Sequence, residues 1–90
     1  MGRMVMIDGL EKYIEAYKVD ENLYIAHDGI FIYGLNHDFN VLWSFTGEDI
    51  WITKSGAPAI SLAEGYIVAT DWRGHIYHLN YLGYVLEFNW

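Results

Sequence analysis

Hydrophobic and polar residues alternate along this chain in short runs of four to seven, separated by clusters of Gly, Asn and Asp. That period and punctuation predict β-strands joined by tight turns. The expected strands are Ile14–Val19, Leu23–Ala26, Ile30–Leu35, Val41–Phe45, Ala59–Ala63, Tyr66–Thr70, His75–Asn80 and Tyr84–Trp90. Met4–Ile7 could add an edge strand. Only the stretch after Asp8 gives a mixed signal. Asp8 and Glu11 read as a capping box, and Leu10, Tyr13, Ile14 and Tyr17 keep helical spacing, so a short helix over 9–18 competes with the first strand. Tyr66-Ile67-Val68-Ala69 is apolar on both faces, which predicts a strand covered on both sides.

The pattern repeats. Ile32-Tyr33-Gly34-Leu35-Asn36 returns 44 residues later as Ile76-Tyr77-His78-Leu79-Asn80, and Val41-Leu42 as Val85-Leu86. A fixed period near 40–45 residues suits four-stranded units such as propeller blades. The chain therefore divides into a first repeat, 1–46, and a second, 47–90, within one all-β domain. Strand alternation puts Val41, Trp43 and Phe45 on one face, and likewise Tyr84, Leu86, Phe88 and Trp90. Aligning those faces requires a one-residue slip, pairing Trp43 with Leu86 and Phe45 with Phe88 and making the turn Asn36–Asn40 one residue the longer.

The second unit carries Pro58-Ala59-Ile60, Glu64-Gly65-Tyr66-Ile67-Val68-Ala69-Thr70-Asp71 and Gly74-His75-Ile76-Tyr77-His78-Leu79-Asn80. These segments resemble a blade of the pyrroloquinoline-quinone-like β-propeller repeat. Leu35–Phe45 resembles the outer-strand segment of that family, in which a tryptophan docks one blade onto the next. Trp43 matches that tryptophan, whereas the second unit has Leu86 or Glu87 in its place. The resemblance covers about residues 14–90 and implies two four-stranded antiparallel blades, with Trp43, Phe45, Phe88 and Trp90 packing between blades. It implies a fold and no particular chemistry. Because propellers close with about 4–8 blades, two blades imply completion, either by further copies, as a trimer or tetramer of the chain, or within a longer propeller of which this chain is a piece.

Composition sharpens this. Of 90 residues, 53% are hydrophobic and 18% aromatic, more than a small monomer can bury, which favours assembly with itself or with another protein. A formal charge of −7 with five Lys and Arg excludes a basic face for nucleic acid and disfavours an anionic membrane surface. Without cysteine there is no thiol nucleophile and no thiolate metal site. No signal peptide or membrane span is visible, so a soluble, cytoplasmic protein is expected.

Candidate chemistry is sparse. His27-Asp28 and His37-Asp38 sit at opposite ends of one strand, and His75 and His78 point to opposite faces, so neither pair makes a metal site within a chain. No serine has a nucleophile motif, and neither enzyme activity nor a cofactor is expected. Asp71-Trp72-Arg73-Gly74 is the turn of most interest, on the same rim as His27-Asp28-Gly29 and the Thr46–Ser55 linker. Trp72 either folds back on a blade or, with Arg73, Asp71, His27 and Asp28, meets a partner protein. Asp20-Glu21 and Glu48-Asp49 are solvated turn charges that, repeated around a ring, would form an acidic rim. The expected function is a scaffold for protein interaction; the alternative is a ligand-binding or catalytic ring with its site on the oligomer axis.

Overall fold

The computed structural model describes residues 7–89, with side chains as far as Leu86. Its eight strands are β1 (Glu15–Asp20), β2 (Leu23–His27), β3 (Ile32–Leu35), β4 (Val41–Phe45), β5 (Ile60–Ala63), β6 (Tyr66–Thr70), β7 (Ile76–Leu79) and β8 (Val85–Asn89). They form two four-stranded sheets in the simple orders β1-β2-β3-β4 and β5-β6-β7-β8. Every neighbouring pair is antiparallel. Short turns between sequential strands leave no other economical pairing. The edge strand suggested for Met4–Ile7 falls almost wholly outside the described residues.

The competing helix over 9–18 does not form, and the strand expected at Ile14–Val19 is β1. Residues 8–14 run as turns, with Leu10 N–H bonded to Ile7 O and Tyr13 N–H to Leu10 O. Gly9 has φ +94, outside the helical region, and the Phe39 ring lies where a side chain at Gly9 would stand. Glu11 still bonds a backbone N–H, that of Gly9, but as part of a turn.

The ladder also corrects the register expected for the last strands. Gly34 pairs with Trp43 and Leu35 with Val41, so Leu42 is an extra residue on β4. His78 pairs with Glu87 and Leu79 with Val85, which makes Leu86 the extra residue on β8. The same β-bulge thus occurs in both units, and the ungapped spacing of 44 holds through it. Asn36–Asn40 and Asn80–Tyr84 are turns of equal length, each with the Asn side chain accepting N–H bonds from two and four residues on. A bulge breaks strict alternation. Val41 therefore does not share a face with Trp43, and the one-residue slip was an artefact of reading alternation across it.

Opposite residues of a ladder share a face, so the rows define the packing. Tyr17, Ile25, Gly34 and Trp43 form one row of the first sheet, and Ser61, Val68, His78 and Glu87 are the matching row of the second. The first row turns toward the second sheet. There Tyr17, Ile25 and Ile32 pack with Ile60, Leu62, Ile67, Ala69, Tyr77 and Leu79, and with Trp51 from the linker. The opposite face of the first sheet, Ala16, Ala26 and Leu35, is covered by Leu10, Ile7, Tyr13 and Phe39. Residues 7–13 and Phe39 thus do for the first sheet what the first sheet does for the second. On the far face of the second sheet, Tyr66, Val68, Thr70 and His78 are half-buried, while Ser61 and Ile76 are exposed. Among the described residues, β6 is covered on one side only, not on both.

Trp43 joins the two sheets at their outer edge. Its indole N–H donates to Tyr81 O at 2.9 Å, and its ring lies over both Gly34 and Gly83, where a Cβ would meet it at 2.3 and 2.5 Å. Gly83 (φ +87) and Phe39 (φ +65) occupy equivalent positions in the two outer turns, 44 residues apart. The second turn keeps glycine where a tryptophan docks. In the first, an aromatic ring fills the same place and packs edge-on against Tyr24 at 5.2 Å.

Candidate functional site

At one end of both sheets lie the β2–β3 turn, the linker after β4 and the β6–β7 turn. Backbone bonds tie them together. Trp51 N–H donates to Gly29 O at 2.8 Å, and Trp72 N–H donates to Ile50 O at 2.9 Å. The Trp51 indole is fully buried, donates to Ile30 O at 3.1 Å, and packs edge-on against Tyr77 at 5.1 Å between ring centres. The linker is therefore a fixed strap whose alternate side chains, Ile50 and Ile52, stay outside.

The rim has a polar layer beneath it. Asp28 Oδ1 accepts the Ile30 and Phe31 N–H groups, and Oδ2 accepts the Tyr33 hydroxyl at 2.8 Å. Asp71 repeats the device: Oδ1 accepts the Arg73 and His75 N–H groups, and Oδ2 binds His75 Nδ1 at 2.9 Å and the Tyr77 hydroxyl at 3.3 Å. Burial works to raise the Asp28 pKa, but the Phe31 and Ile30 N–H groups and the Tyr33 hydroxyl outweigh it and hold the carboxyl below its ordinary value. Tyr33 is raised in turn, chiefly by donating to Asp28.

Glu15 is the residue that sequence reasoning missed. Its carboxylate is buried at the start of β1 and accepts from both sheets. Oε2 accepts Ala59 N–H at 2.7 Å and His27 Nε2 at 2.8 Å; Oε1 faces Ile60 N–H at 3.2 Å and the Tyr17 hydroxyl at 2.6 Å. That hydroxyl also reaches Ile60 O at 2.8 Å, so its one proton is divided between two acceptors. Gly29 N–H donates to His27 Nδ1 at 3.1 Å, which leaves the ring hydrogen on Nε2, aimed at Glu15. Burial alone would raise the Glu15 pKa; the bonds from His27, Tyr17 and Ala59 more than offset it and lower the carboxyl from 4.5. Burial and the neighbouring Glu15 carboxylate push the Tyr17 hydroxyl up. The one signal in the sequence was a carboxylate in a strand whose neighbours Ala16 and Tyr17 are apolar.

The five expected partner-binding residues separate by burial. His27 and Asp71 are buried and spend their polar atoms on the fold. Asp28, Trp72 and Arg73 are exposed at the rim. Trp72 is 43% exposed, with Lys54 Nζ 5.6 Å from its ring centre, so it neither folds into a blade nor stands isolated. Arg73 Nε binds Asp49 Oδ2 at 2.9 Å. Of the residues expected between blades, Trp43 and Phe45 are half-buried against the core between the two sheets, whereas the side chains of Phe88 and Trp90 lie outside the described residues.

Around Trp72 the rim is apolar. Ile14, Ile30, Phe31, Ile50 and Ile52 are all exposed there. Two shallow grooves meet over Thr53, Ala57 and Pro58: one, of ≈ 270 Å³, is bounded by Ile14, Trp51 and Ile52, the other, of ≈ 350 Å³, by Lys54, Trp72 and Arg73. Among the described residues, no group of three His, Cys, Asp or Glu side chains is placed to hold a metal ion, and no helix is long and apolar enough to cross a membrane. No family model matches the chain, and neither a comparison with curated proteins nor one with solved structures finds a match.

Proposed function

We propose that this chain is a pair of adjacent β-propeller blades of the pyrroloquinoline-quinone-like type, acting as a protein-interaction module through the Trp72 rim. The blade reading is supported by the twofold repeat of strand order, bulge, Asp–Tyr pair and outer turn, and by Trp43 docked across the joint. One observation carries the function: exposed Ile14, Ile30, Phe31, Ile50, Ile52 and Trp72 gather on four segments, the lead-in to β1, the β2–β3 turn, the linker and the β6–β7 turn, that backbone bonds tie to one another or to the sheet. A monomer gains nothing from exposing such a patch, and a pre-ordered one loses little entropy on binding. Trp72 and Arg73 provide the residue types that anchor interfaces.

A closed ring of three or four copies would have to make its joints differently from the one inside the chain. Residues 7–13 and Phe39 stand on the face a neighbour would use, and Glu87 stands at the register position of Trp43. The function is therefore assigned to the rim of a single chain.

Photo-crosslinking tests this. A photoreactive residue at position 72 or 52 is expected to give an adduct with another protein, competed by excess unlabelled chain, while the same group at Glu64, on the opposite rim, gives none. Equal adducts at all three positions, or only self-adducts, would overturn the reading.

A further inference from the structure

The opposite rim carries a groove of its own, and its chemistry points to a different occupant. It has a volume of ≈ 550 Å³ and lies across the joint between the two sheets, walled by Leu23, Leu42, Trp43, Tyr81, Leu82 and Tyr84. Leu82, Tyr84 and Leu42 are 69%, 67% and 55% exposed, among the most exposed large apolar side chains described. Their positions follow from local geometry. Leu42 is the bulged residue of β4, pushed out of alternation, and Leu82 and Tyr84 flank Gly83, whose backbone must approach Trp43. None of this geometry requires Leu or Tyr at the exposed positions; Asp38 and Asn40 occupy the places of Leu82 and Tyr84 in the first unit.

This end of the sheets is acidic. Asp20 lines the groove, and at the same end of the sheets the turns carry Glu21, Asp38 and Glu64. Among the described residues, Lys18 lies at this end and is bonded to Glu21 at 3.2 Å. His37 lies 3.3 Å from Asp38. An apolar floor with carboxylates at the same end of the sheets fits a chain that alternates apolar and cationic side chains. A second copy does not fit: the chain has a net charge of −7, and the cations of its other rim are engaged, Lys54 over Trp72 and Arg73 on Asp49. Electrostatic attraction would speed docking and set its direction, while the apolar floor would supply the affinity.

We infer that the Leu42–Leu82–Tyr84 groove is a docking site for a basic, leucine-type peptide segment of a partner protein, separate from the Trp72 rim. The test uses a fluorescein-labelled synthetic peptide of alternating leucine and lysine, with versions carrying serine for leucine and glutamate for lysine. Anisotropy is expected to report binding of the first peptide alone, weakening as salt is raised. Leu82→Ser with Tyr84→Ser should weaken it about tenfold or more, and Glu21→Lys several-fold. Trp72→Ser should leave it unchanged, which keeps the outcome independent of the other rim. The substituted groove residues are exposed turn positions, and far-UV circular dichroism confirms their folding. Equal binding of all three peptides, indifference to the Leu82 and Tyr84 changes, or no binding of the leucine–lysine peptide would overturn the inference. So would light scattering that shows a dimer which Leu82→Ser with Tyr84→Ser dissociates.

Discussion

The indole of Trp43 lies flat over Gly83, close enough that a single Cβ at position 83 would stand 2.5 Å from its Cδ2 atom. The contact closes the joint between sheets at its outer edge, and the Tyr81 carbonyl fixes the ring's direction through the indole N–H. Gly83→Ala therefore meets two obstacles, the clash and φ +87. It should cost about 2–4 kcal/mol in urea unfolding. Trp43→Ala, which empties a half-buried site, should cost about 2–3 kcal/mol. The double variant should fall well short of the sum, because both changes remove one contact.

Glu15 should matter more than any exposed charge. Glu15→Gln keeps the shape but sets an NH2 group against N–H donors, and is expected to destabilise the fold by about 2–3 kcal/mol. The pH dependence has a definite sign. A carboxyl held below its unfolded value adds stability that is full above about 4.5 and is lost as pH falls through the folded value. Urea midpoints measured from neutral pH down to the acid range should show wild type converging on Glu15→Gln below that point. A constant gap between them would contradict the assignment.

The two Asp–Tyr pairs offer an internal comparison. Asp28 is exposed, Asp71 buried. Asp28→Asn is expected to cost about 1 kcal/mol or less and Asp71→Asn about 2–3 kcal/mol, read from the same unfolding curves.

Phe39 should decide the state of association. With residues 7–13 in place, the chain should be monomeric by light scattering at micromolar concentration. Removing the chain through Tyr13, together with Phe39→Gly, His78→Gly and Glu87→Trp, uncovers the outer face of the first sheet and recreates at the outer faces the residues of the internal joint. That variant is expected to form head-to-tail oligomers whose mass rises with concentration.

Most of the fold was legible because alternation and turn residues act locally. All eight strands fall where apolar period and Gly, Asn and Asp punctuation put them, and the 44-residue repeat survives through Leu86. The bulges at Leu42 and Leu86 were not legible, since period-2 reading treats an extra residue as a change of face. Glu15 was hidden for another reason. Its backbone donors lie 44 and 45 residues away, on a different sheet, and meet it only after the sheets dock. The apolar rim was half visible: Trp72 announced itself, but that Ile14 reaches it from just before β1 depends on how the strap crosses between sheets.

Phe39 and Glu87 also give the pair a fixed valency. The first unit owns a plug, Trp43, but its own socket is stoppered by Phe39; the second owns a socket, Gly83, and has Glu87 where its plug would be. One plug and one socket make one joint. An array built by concatenating this chain end to end would therefore consist of discrete pairs, like beads, and only units that restore a glycine at the socket and a tryptophan at the plug would turn the beads into a continuous stack.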